Sequence, residues 1–125
     1  MKAATLLLAL ALGGCATLPP AAAGPTAGTG QVAVVGPLRA RPIAIVEDSR
    51  CPVDVQCVWA GRLVVLTEVE FAGGSQEYRG NLALGEPFPY GEETITLVAV
   101  TPAKKGGQEI DSRAYRFTFR FGGGL

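Results

Sequence analysis

From Gln31 to the C-terminus, apolar and polar residues alternate with a period of two, and no stretch keeps the 3.6-residue spacing of an amphipathic helix. The clearest run is Arg113–Phe121, where Tyr115, Phe117, Phe119 and Phe121 alternate with Ala114, Arg116, Thr118 and Arg120. Successive side chains on a strand point to opposite faces, so this run predicts a strand with one face in a core and one in water. Arg62–Phe71 follows the same rule, with Leu63, Val65, Val69 and Phe71 on one face and Glu68 and Glu70 on the other; its first half is apolar on both. Thr94–Thr101, stopped by Pro102, predicts a third strand, and Gln76–Leu84 a weaker fourth with Tyr78, Leu82 and Leu84 in phase. Gln31–Val35 and Ile43–Glu47 complete five or six. Gly or Pro breaks the pattern about every ten residues, as turns between short strands require. The expectation is an all-β fold, a small antiparallel β-sandwich or barrel with a single core.

The first thirty residues obey a different pattern. Met1-Lys2 gives a positive start and Ala3–Leu12 an unbroken apolar run, which is the hydrophobic region of a signal peptide. A membrane-spanning helix needs roughly twenty apolar residues, and this run stops sooner, at Gly13-Gly14. The four residues Leu12, Gly13, Gly14 and Cys15 resemble the lipobox of bacterial lipoproteins. That resemblance implies removal of residues 1–14, a diacylglyceryl group on the Cys15 thiol, an acylated new amine, and a membrane as the first partner. Ala16 stands where an inner-membrane retention signal would place Asp, which implies sorting to the outer membrane, on its periplasmic face or at the surface. The alternative is an ordinary signal peptide cut at a nearby small-residue site. Thr17–Gly30 carries no charge and no large apolar residue after Leu18, too little to bury. Residues 15–30 therefore read as a lipidated N-terminus and flexible linker, and 31–125 as the β domain.

Charge and inventory then narrow the function. Without Lys2 the chain holds 10 basic and 11 acidic side chains. Its one basic pair after export, Lys104-Lys105, lies beside Gly106-Gly107 in what reads as a solvated turn, so no nucleic-acid footprint is expected. There is no histidine to serve as a general base, and no Gly-rich phosphate loop follows a strand and opens a helix. The acidic pairs Glu47-Asp48 and Glu92-Glu93 are adjacent, and neighbours on a strand face opposite ways. No catalytic residue, cofactor or metal site is expected.

The informative segment is Glu47–Gly61 (EDSRCPVDVQCVWAG), which joins two predicted strands and holds both remaining cysteines. With Cys15 assigned to lipid, Cys51 and Cys57 are an even pair in an oxidising space, and a disulfide is expected. Extended chain would separate them by roughly 20 Å, so the segment must reverse; Pro52 and Asp54 are suited to such a turn. Metal thiolate ligation fails on supply, since the sequence has no histidine and the domain no third cysteine. Trp59 is expected to pack over the disulfide and cap the core, the alternative being an exposed aromatic anchor for a partner or glycan. Gly61 suggests a bulge before the long strand. Arg50, Asp48 and Asp54 read either as a local salt-bridge cluster or as the polar rim of a recognition loop.

Asp48-Ser49-Arg50-Cys51-Pro52, then Val55, Cys57, Trp59, Ala60 and Gly61, resemble a signature of small secreted or lipid-anchored bacterial proteins of unknown function. The resemblance extends through Leu97–Pro102, Ile110 and Ala114–Phe117, over roughly residues 43–119, with Ala103-Lys104 departing from the aromatic and second Pro expected after Pro102. It implies placement and fold without an activity. Two non-catalytic functions follow. One is an envelope lipoprotein whose β domain is structural or accessory and binds another envelope component, such as a protein, through an edge or loop. The other is a protease inhibitor presenting the constrained loop 52–56, since preorganisation strengthens binding.

Overall fold

A computed structural model describes residues 24–74 and 77–123. The expected signal peptide, Cys15 and the expected linker up to residue 23 lie outside the described residues. Eight strands and no helix are found among the residues described: β1 (Thr26–Gly28), β2 (Ala33–Val35), β3 (Leu38–Asp48), β4 (Leu63–Phe71), β5 (Glu77–Ala83), β6 (Pro87–Tyr90), β7 (Glu93–Thr101) and β8 (Arg116–Gly123). They form two four-stranded sheets, ordered β1-β8-β7-β6 and β2-β3-β4-β5, with every pairing antiparallel. The sheets enclose one core, as an all-β sandwich does.

The period-two pattern is the inward set. Phe117 and Phe119 of β8, Leu63, Val65 and Val69 of β4, and Ile95 and Leu97 of β7 have no exposed surface. Thr67, in phase with the β4 set, is equally buried and donates its hydroxyl to the Val65 carbonyl at 3.3 Å. Each fully buried Phe, Leu, Ile or Val contributes about 1.5–3 kcal/mol relative to exposure, so these residues dominate the stability. Tyr78 keeps its predicted phase with Leu82, since each pairs with an inward-facing valine of β4, Val69 and Val65. Leu82 is buried, but Tyr78 is 40% exposed and lies against Phe88 with ring centroids 5.0 Å apart.

Three boundaries differ from the hydropathy pattern. β3 runs unbroken from Leu38 through Pro42, because Pro42 lies beyond the reach of β2, which ends opposite Ala40, and beside a register shift; there a missing N–H costs no ladder bond. β6 contains Pro87 and Pro89 and lies at a sheet edge, the one place such a strand is tolerated. The sheet also starts at Thr26, inside the stretch 15–30 expected to be linker. Thr26 pairs with Thr118, their hydroxyls 2.9 Å apart, and Ala27 is buried in the core. Three small residues carry no hydrophobic signal, and their order comes from β8.

Candidate functional site

The β3–β4 connection lies at one end of the sandwich, and β3 and β4 continue to pair past their last regular rung, Asp48 opposite Leu63. The Ser49 N–H donates to the Arg62 carbonyl at 2.8 Å and the Cys51 N–H to the Ala60 carbonyl at 3.3 Å. Gly61 permits this close approach, with φ at +68° and a Cβ position that would fall 1.8 Å from the Ser49 carbonyl oxygen. Above these rungs Cys51 and Cys57 form the expected disulfide, their α-carbons 5.9 Å apart. The reversal between them is a turn closed by the Val55 N–H on the Pro52 carbonyl at 3.2 Å.

The loop is braced against the β7–β8 connection. Val53 donates its N–H to the Lys104 carbonyl at 2.9 Å, and the Asp54 carboxylate accepts the Gly106 N–H at 2.8 Å. At the loop's base Arg50 binds Asp48 through two bonds, Nε to Oδ1 at 2.8 Å and Nη2 to Oδ2 at 2.9 Å. Its guanidinium also reaches the Val100 and Pro102 carbonyls at 3.3 and 3.2 Å, tying one sheet to the other. Tyr115 Oη donates to Asp48 Oδ2 at 2.8 Å, and Lys104 Nζ to the Asp48 carbonyl at 2.6 Å. A paired, largely buried charge with all its partners present holds geometry firmly.

Electrostatics agree with that geometry. Desolvation pushes the Asp48 carboxyl up, but hydrogen bonds from Arg50 and Tyr115 and the Arg50 charge outweigh it and hold the group below its ordinary value. Arg50 is raised, first by its hydrogen bond to Asp48. Tyr115 is pushed up to about 12 by desolvation, then by its bond to Asp48 and that carboxylate's charge.

This arrangement separates residues that the sequence placed together. Asp48 and Arg50 form a salt bridge as one reading anticipated, but Asp54 is not part of it and serves the turn above. Trp59 does not pack over the disulfide. It is 82% exposed, and its neighbour Val58 is 92% exposed. The end of the core that Trp59 was expected to cap is filled by Tyr115, stacked on Phe117 at 5.8 Å, with Ile110 packed alongside. Val53 and Val55 are exposed as well, so four of the eight exposed large hydrophobic residues among those described fall in this one loop. Val58 was missed, although Val58-Trp59 carries a signal: two adjacent large apolar residues in a tightly closed loop cannot both turn inward. Tyr115 was missed as a partner of Asp48 because 67 residues separate them.

Elsewhere charges are paired across strands. Arg41 and Arg79 flank Glu68 at 3.9 Å each on the outer face of β3-β4-β5, beside a shallow hollow of about 210 Å³. Glu47, adjacent to Asp48, pairs with Arg62. Such exposed pairs contribute roughly 0–1 kcal/mol each and account for these residues without chemistry. Among the described residues no group of three or more His, Cys, Asp or Glu is placed to hold a metal, and no helix is long and apolar enough to cross a membrane. No family model, curated protein or solved structure matches the chain.

Proposed function

We propose that this protein is an envelope lipoprotein, anchored by lipid on Cys15 and sorted to the outer membrane, whose β domain is a non-catalytic binding or accessory module. In this reading it engages another envelope component through the loop 52–59. The observation that carries it is the exposure of Val53, Val55, Val58 and Trp59 on a loop held by a disulfide, two backbone rungs and the Asp48–Arg50–Tyr115 cluster. Apolar side chains clustered on a rigid loop mark a contact surface. The signature around Cys51 and Cys57 fits the same placement. The inhibitor reading has less support: a protease cleft takes a segment in extended form, whereas Pro52–Val55 is a closed turn and the Val53 N–H is already engaged.

The test uses photo-crosslinking in living cells, with a reactive residue at position 58 or, as control, at exposed position 46 on β3. Adducts with a defined envelope component, lipid or protein, are expected from 58 alone. Equal labelling from both positions would refute the loop as the contact surface. Separately, Cys15→Ser is expected to move the protein from the membrane to the soluble fraction, and retention would refute the anchor.

A further inference from the structure

The loop's partner can be named more closely, on the reading that Cys15 carries lipid. We propose that Val58 and Trp59 seat in the interfacial layer of the same bilayer that holds the Cys15 acyl chains, giving the domain a second contact that fixes its orientation.

Three observations converge on a bilayer rather than a protein. The first is what the loop offers. Several of its directional groups are already used: the Asp54 carboxylate by Gly106, the Val53 and Val55 amides by Lys104 and Pro52, and the Arg50 guanidinium by Asp48, Val100 and Pro102. A protein interface carries about one hydrogen bond per 100–200 Å², whereas the apolar boundary of a bilayer asks for none. The second is residue type. Tryptophan is enriched at membrane–water interfaces, where its ring is buried and its indole N–H stays near the headgroups. Val58 beside it is 92% exposed, and Val53 and Val55 of the same loop are exposed as well.

The third is reach. The described chain begins at Gly24, and the Pro25 carbonyl accepts the Phe119 N–H at 3.0 Å. Phe119 pairs with Leu97, three residues before the Val100 carbonyl that Arg50 grips. The tether thus leaves the domain about 10 Å, along a strand, from the base of the loop. Nine residues from Cys15 to Gly24 span at most about 30 Å. That exceeds this separation about threefold, so a tether that leaves β1 heading away from the loop has length to turn back toward it. The turns at the other end of the sandwich, 36–37, 72–74 and 91–92, present no exposed large apolar residue.

Trp59 is the single tryptophan, so its emission reports on the tip directly. The lipidated full chain would be reconstituted in phosphatidylcholine vesicles with or without brominated acyl chains. The expected result is emission blue-shifted from that of the Cys15→Ser full chain in buffer and strongly quenched by the brominated lipid. Val58→Asp, at a position with almost no contacts to lose, is expected to red-shift the emission and relieve most of the quenching while the protein stays anchored. Anchored protein whose Trp59 emits as in buffer and escapes the brominated lipid would overturn the proposal and leave the tip to a protein partner. An N-terminal peptide shown by mass spectrometry to lack acyl chains would instead overturn the lipoprotein reading, and this inference with it.

Discussion

Asp48 carries more of the loop's geometry than any other side chain, and its protonation links the site to pH. A carboxyl held low in the folded state contributes stability that is complete above its unfolded value, about 4, and lost as pH falls through the folded value. Tyr115 has the opposite dependence: its contribution is complete below about 10 and lost as pH rises from there toward the folded value of about 12. Urea midpoints are therefore expected to hold between these limits and fall at both ends. Tyr115→Phe leaves one Asp48 oxygen without its phenol donor, so it is expected to cost about 1.5–3 kcal/mol at neutral pH and to flatten the alkaline fall. A variant with the wild-type midpoint and alkaline profile would mean that the bond contributes nothing in solution. Gly61 supplies a second residue-scale prediction. An Ala there meets the Ser49 carbonyl oxygen at 1.8 Å in addition to its positive φ, for an expected loss of at least about 2 kcal/mol. Gly85→Ala also has a positive φ, +84°, but nothing lies within 4 Å of its Cβ position. It is the control, and urea midpoints for the two should separate contact from conformation.

At the scale of elements, the Cys51–Cys57 bridge closes a short loop, for which chain entropy gives roughly 2.4 kcal/mol. Besides the bridge, the loop is held by its rungs to 60–62 and its bonds to 104–106. Cys51→Ser combined with Cys57→Ser is therefore expected to lower stability by about that amount and to speed hydrogen exchange at residues 52–59, while β8 stays protected. Fast exchange throughout β8 would show instead that the bridge supports the whole fold. β4, β7 and β8 were legible in the sequence because each buries one face, and burial writes itself as alternation. The bridge was legible from a count of cysteines and the expected oxidising compartment. β1 was not, since Thr26-Ala27-Gly28 have no pattern of their own and take their order from a strand some ninety residues away. Nor was the exposure of Trp59, because which aromatic fills the end of the core depends on where the β7–β8 connection delivers Tyr115 and Ile110, and that is a property of the assembled sheets.

For the whole molecule, an open sandwich has four edges to protect, here β1, β6, β2 and β5. Two of them, β1 and β2, are three residues long, β6 carries two prolines, and β5 carries Glu77 and Arg79; shortness, proline and charge are the means by which edges avoid pairing with other chains. β1 does more than its length suggests, because it covers β8, whose Arg116–Phe121 run contains three phenylalanines and no proline. A chain begun at Gln31, where the hydrophobic pattern starts, would uncover that strand and remove Ala27 from the core. An aromatic strand with an open edge pairs readily with copies of itself. The chain begun at Gln31 is thus expected to form large aggregates that bind thioflavin, while one begun at Gly24, keeping the Pro25 carbonyl on the Phe119 N–H, stays monomeric. Light scattering at matched concentration distinguishes the two. A monomeric, fully stable chain begun at Gln31 would mean that β1 merely decorates the sheet, and that the protection of β8 resides in Arg116 and Arg120 alone.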